Sequence, residues 1–142
     1  MNAAPHIDPR VLPANRHTFL GIGELHARAL VNRYGDTPCL HIGTRAGPLS
    51  IRAQRDSAGI EITAEQATSS LGRVMSGCRA LFTDHTDIEI AVVRRPNALT
   101  DELHIGDHWF ELPRNYTNDA VWWLRQHAPR HTRPFDPTEV TP

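Results

Sequence analysis

Nine histidines and two cysteines are the residues of this 142-residue chain best able to do chemistry, and their spacing decides which chemistry is open to them. His104 and His108 are four apart, which on a helix would turn both rings toward one metal ion. They lie instead in the run Leu103-His104-Ile105-Gly106-Asp107-His108-Trp109-Phe110. Its alternation and central Gly-Asp pair predict a hairpin that sends the two rings to opposite faces. His127 and His131 have the same spacing but straddle Pro129, which ends the helix that would align them. With no HExxH or CxxC spacing, no metal site and no cofactor are expected. No G-x-S-x-G elbow is present either. Cys78 is expected on a core stripe, where a thiol is inert packing, and Cys39 on an outer sheet face without forming a dyad with His41. Gly21-Ile22-Gly23 lacks a third glycine and a predicted preceding strand, so it is not read as a phosphate loop.

One enzymatic reading survives. An outer sheet face would gather His41, Arg52, Glu61, Glu89, His104 and Glu111, the residue types of small acid–base ribonucleases, with His41, His104, Glu89 and Glu111 as the acid–base groups. Alternating charge on the solvent side of a half-buried sheet produces the same set without catalysis. No predicted loop is long enough to wall that face into a pocket, so no catalytic residue is assigned. Trp109 is more informative. It shares its expected face with Ala91, Val93 and Cys39, and a large ring among small apolar side chains marks a patch that a partner chain or a tail covers. Trp122 and Trp123 are consecutive helix positions ~100° apart, so only one can sit centrally in a core stripe. Ala91, Val93, Trp109, Trp122 and Trp123 are therefore the expected partner contacts.

Composition narrows the partner class. The formal net charge is −1, and all fifteen basic residues are arginine. GC-rich coding explains the absence of lysine, as selection against a modifiable amine also would. A near-neutral balance argues against nucleic acid as the partner. The apolar runs are short, such as Ile90-Ala91-Val92-Val93 and the five residues Ala120-Val121-Trp122-Trp123-Leu124, so no membrane span is expected. No basic start with an apolar run follows Met1, so no secretory leader is expected. The two cysteines read as reduced thiols of a cytoplasmic protein, or a virion-associated one if phage-encoded.

The elements that position these residues follow from periodicity and from the prolines. Prolines crowd residues 1–16 and 129–142, which predicts two extended or disordered tails around a single domain at 17–128. Helical spacing predicts a first helix over 18–34, ended by Gly35 and Pro38. Alternation then predicts strands at 39–44, 48–54 and 60–63. Ala67, Leu71, Val74, Met75, Cys78, Leu81 and Phe82 fall on one helical stripe, which predicts a helix over 64–82 capped by Thr63. A strand at 87–95, the hairpin at 103–112 and a helix at 118–128 complete the chain. The expected core comprises Leu40, Ile42, Leu49, Ile51, Ile60 and Ile62 from the first strands, with Leu71, Val74, Met75 and Cys78 from the second helix. Ile88, Ile90, Val92, Leu103, Ile105, Phe110, Val121 and Leu124 add the later elements.

The order α-β-β-β-α-β-β-α over 18–128 resembles the class I type III secretion chaperones and the related YbjN-like proteins. The segments that carry the likeness are the helix through Val31-Asn32-Arg33-Tyr34-Gly35, the strand IEIAVV, and the run FELPRNYTNDAVWWL. Met75-Ser76-Gly77-Cys78 departs from the end typical of that family's second helix. The resemblance implies a two-layer α+β domain: one largely antiparallel sheet with helices on a single face. It also implies a non-enzymatic protein-binding, adaptor or chaperone-like module. Self-association is expected with it, including as a structural subunit of a phage or bacterial assembly.

Overall fold

A computed structural model of the chain describes residues 16–67 and 74–140. The fold class is α+β, with two α-helices and two sheets among the described residues. β1 (His17–Leu20), β2 (Cys39–Ile42), β3 (Leu49–Arg55), β4 (Ile60–Ala67) and β5 (Val74–Phe82) form a five-stranded sheet in sequence order. β6 (Ile90–Val93), β7 (Thr100–Ile105) and β8 (His108–Pro113) form a second, antiparallel sheet. α1 (Glu24–Tyr34) joins β1 to its parallel neighbour β2, as a parallel pair requires, and α2 (Thr117–His127) follows β8.

Two expected elements are replaced. The helix expected from residue 18 begins only at Glu24, because residues 17–20 pair with β2 and Gly21, at φ 70°, turns the chain out of the strand. The helix expected over 64–82 is instead the end of β4 and all of β5. Burial alternates along β4, with Ile60, Ile62, Ala64 and Gln66 inward, so the period of two continues past residue 63. A helix here would hold Gly72 and Gly77 in its interior at a cost of about 1 kcal/mol each, and would leave the edge of β3 unpaired. Leu71 lies outside the described residues. Ile88, expected in the core, precedes β6 and is exposed; it lies beside the turn glycine Gly106.

Directly paired residues share a face of a sheet. One face of the large sheet carries Leu40, Ile42, Leu49, Ile51, Ala53, Ile60, Ile62 and Ala64. These join Ile90, Leu103, Ile105, Phe110 and Leu112 of the small sheet and Ala120, Trp123, Leu124 and Ala128 of α2 in one core. The opposite face carries His17, Cys39, His41, Ser50, Arg52 and Glu65, and α1 lies over it through Tyr34. The helices thus cover opposite faces of the large sheet rather than one.

The segment expected as a C-terminal tail takes part in the fold. His131 O accepts from Ile90 N at 2.7 Å, Arg133 N donates to Ile90 O at 2.9 Å, and Thr132 is buried beside α2. Residues 1–15 lie outside the described residues. Two backbone hydrogen bonds at about 1 kcal/mol each, with the buried Thr132, predict that deleting 129–142 lowers stability by about 2–3 kcal/mol. Urea titration of the truncated chain checks this; an unchanged midpoint would return the segment to the status of a tail.

Candidate functional site

The polar face beneath α1 holds a continuous hydrogen-bonded cluster. His17 comes from the edge strand β1, Cys39 and His41 from β2, and Ser50 from β3. Register puts His17 opposite Cys39 and His41 opposite Ser50, and alternation keeps all four on one face. All four are buried. His17 Nε2 lies 2.6 Å from Gly35 O, at the end of α1. A carbonyl can only accept, so this nitrogen carries the proton and, with the ring neutral, Nδ1 is left as an acceptor. His41 Nε2 is 2.7 Å from that Nδ1 and must donate to it. His41 Nδ1, 2.7 Å from Ser50 Oγ, then accepts from the hydroxyl. When His17 is neutral, the three hydrogen bonds run in one direction, from Ser50 through His41 and His17 to the Gly35 carbonyl. The two imidazoles lie within 5° of parallel.

Electrostatics keep His41 and Cys39 neutral. Burial, helped by the neighbouring His17, drives the His41 pKa down to about 3. Burial likewise pushes the Cys39 thiol up to about 12, so it stays protonated. Its Sγ is 3.9 Å from His41 Nδ1. Around the cluster, Tyr34 donates to Glu65 at 2.8 Å, and Arg52 stacks over the Tyr34 ring at 5.7 Å with a buried Nε that has no partner among the described residues. Burial and the Glu65 hydrogen bond hold Tyr34 near 12, so it too is protonated.

Ser50 hydrogen-bonded to His41, itself oriented by His17, has the connectivity of a nucleophile, a base and an orienting group. Ser50 is sealed between strand and helix, which leaves no surface where a substrate carbonyl could approach its hydroxyl. The arrangement is therefore a buried polar lock rather than an exposed dyad.

The residues proposed from sequence for acid–base work do not come together. His41 lies under α1, whereas His104 and Glu111 stand on the outer face of the small sheet, and Glu89 precedes β6 beside Arg133. On that outer face the pairing rows are Ala91–His104–Trp109 and Val93–Glu102–Glu111. Trp109 lies on this face with Ala91 and Val93, 53% exposed and stacked along His104 at 6.4 Å, whereas Cys39, expected with them, lies in the other sheet. Glu102 bonds His104 at 2.9 Å and meets Arg95, and Glu111 takes a bidentate pair from Arg45 at 2.9 Å. Of the tryptophan pair, Trp123 fills the core and Trp122 is 64% exposed. Cys39, expected outward, is buried, and it shares a face with His41 because residues two apart on a strand point the same way.

His17 and Ser50 had no place in the sequence reading as site residues. The signal that could have found part of the set was Cys39-x-His41 on a strand, where alternation joins the two side chains. A strand, β1, does precede Gly21-Ile22-Gly23, but the third glycine is still missing and Glu24 places a carboxylate in the first turn of α1. Comparison with protein-family models, curated proteins and solved structures finds no match to the chain.

Proposed function

We propose that this chain is a non-enzymatic protein-binding module that self-associates through the outer face of its three-stranded sheet. The observation that carries the reading is Trp109, an exposed tryptophan on the edge strand β8 of that face, beside His104 and in one cross-strand row with the half-buried Ala91. Aromatic anchors of this kind dominate interface energetics. The surrounding charges carry both signs, Arg45 and Arg95 against Glu102 and Glu111. Each basic group is paired with an acid of its own chain, so the face carries no net charge to repel an identical face, and a two-fold axis lets the pairs be shared between copies. A second copy of the chain is thus the occupant it fits. The exposed Trp122 gives α2 a second apolar contact of the same kind.

Sedimentation velocity over a concentration series tests this. The expected result is a reversible dimer that Trp109→Ala weakens by at least 2 kcal/mol, about 30-fold in dissociation constant, with the thermal melt of the monomer unchanged. A strict monomer at high micromolar concentration, or a dimer indifferent to Trp109→Ala, overturns the reading.

A further inference from the structure

We propose that His17, Cys39 and His41 form a binding site for one thiophilic d-block cation, Cu(I) or Zn(II). One donor atom from each residue lies within 4.8 Å of the others, and all three residues are buried. A thiol with two imidazoles is a donor set that selects soft or borderline ions over magnesium or calcium. Clusters of this composition can also be plain hydrogen-bonded packing, so the surroundings of the ligands decide. Metal-ligating histidines hold their non-ligating nitrogen on a carbonyl, carboxylate or other polar partner. Both rings have such partners here: His17 Nε2 is on Gly35 O, and His41 Nδ1 is on Ser50 Oγ. The two nitrogens left, His17 Nδ1 and His41 Nε2, face each other at 2.7 Å, while Cys39 Sγ rests 3.9 Å from His41 Nδ1 and must swing toward Nε2 to join them, to about 3.5 Å from each nitrogen on a shared ion.

Loading requires a definite rearrangement. Two imidazole nitrogens on one ion stand about 3.4 Å apart, given metal–nitrogen bonds of about 2.0–2.1 Å, so the rings must separate by roughly 0.7 Å. His17 can provide this, because among the described residues β1 is an edge strand paired only with β2. The proton on His41 Nε2 is lost, and Nδ1 gains one and donates it to Ser50 Oγ, which becomes the acceptor. His17 keeps its tautomer. The Cys39 thiol gives up its proton and its sulfur binds as the thiolate. Counting across the site, two neutral imidazoles remain neutral and one proton, that of Cys39, is released per ion bound.

The test is titration of the full chain, first treated with a chelator, with Zn(II) and, under anaerobic conditions, with Cu(I) against a competing chelator. Proton release is read in two buffers of different ionisation enthalpy. The expected result is one ion per chain for at least one metal, with one proton released at pH 7. Cys39→Ser should abolish the stoichiometric binding and the proton release. Cys78→Ser should leave both intact, and Ser50→Ala should weaken binding by roughly 10–100-fold. Circular dichroism and thermal melts identify any variant that fails to fold, and His17→Gln then serves as the second ligand deletion, at the edge of the sheet. Absence of stoichiometric binding by either ion overturns the site, as does binding that survives Cys39→Ser or His17→Gln in a folded protein.

Discussion

Replacing Asp101 with alanine lowers the free energy of unfolding by about 3–5 kcal/mol, the range found when one partner of a buried ion pair is removed. Asp101 on β7 is fully buried. Its two oxygens accept a fork from Arg94 at 2.8 Å each, Thr117 Oγ1 donates at 2.7 Å, and Arg114 lies at 3.4 Å. One carboxylate therefore ties the β6–β7 connection to β7 and to the first turn of α2, where a negative charge also suits the helix dipole. Burial alone would oppose ionisation of Asp101. The hydrogen bonds from Arg94 and Thr117, with the charges of Arg94 and Arg114, outweigh it and hold the pKa below the ordinary carboxylate value. Asp101→Asn keeps an acceptor for Thr117 and should recover part of the loss. Chemical denaturation of the three proteins measures both effects. A loss below about 1 kcal/mol for the alanine variant would place this pair with the exposed ones, which contribute little.

Acid weakens the fold well before the carboxylates titrate. His41 has a folded pKa of about 3 against an ordinary value of 6.5. Between those values the unfolded chain binds a proton that the folded chain refuses, so stability rises with pH across the window and falls on acidification. Above pH 6.5 both states are neutral at this residue and it adds no slope. Within the window the slope approaches about 1.4 kcal/mol per pH unit, which integrates to about 2 kcal/mol between pH 6.5 and 4.5. His127, depressed by burial and by Arg55, adds a contribution of the same sign. The check is the free energy of unfolding of chelator-treated protein from pH 7.5 to 4.5, beside His41→Gln. The variant is less stable at neutral pH because it breaks the chain from Ser50 to Gly35, but it should lose one proton's worth of pH slope. Parallel pH profiles for the two proteins would show that His41 accepts a proton in the folded state.

What neighbouring residues dictate was legible without a structure. The β7–β8 hairpin turns at Gly106-Asp107 with Leu103 opposite Phe110, His104 opposite Trp109 and Ile105 opposite His108, as alternation about a two-residue turn requires. α2 ends at His127 ahead of Pro129, and the apolar alternation of β2, β3 and β4 marks their core face. These features depend on side chains within a few positions of one another, so the order of residues settles them. The helix expected over 64–82 failed because a stripe at helical spacing is weak information when a strand already formed, β3, offers a free edge. Pairing along β3 fixes seven consecutive partners, from Leu49–Gln66 to Arg55–Ile60, and no window of sequence contains that competition. The site failed for a related reason. A strand's second face is wet or dry according to what lies across it, and polar residues in alternation look the same in either case. The sequence alone determined that Cys39, His41, Ser50 and Arg52 occupy the non-core face of a sheet. Only the tertiary structure, by placing β1 beside β2 and α1 over both, decided that this face is dry and that His17 meets His41 within it.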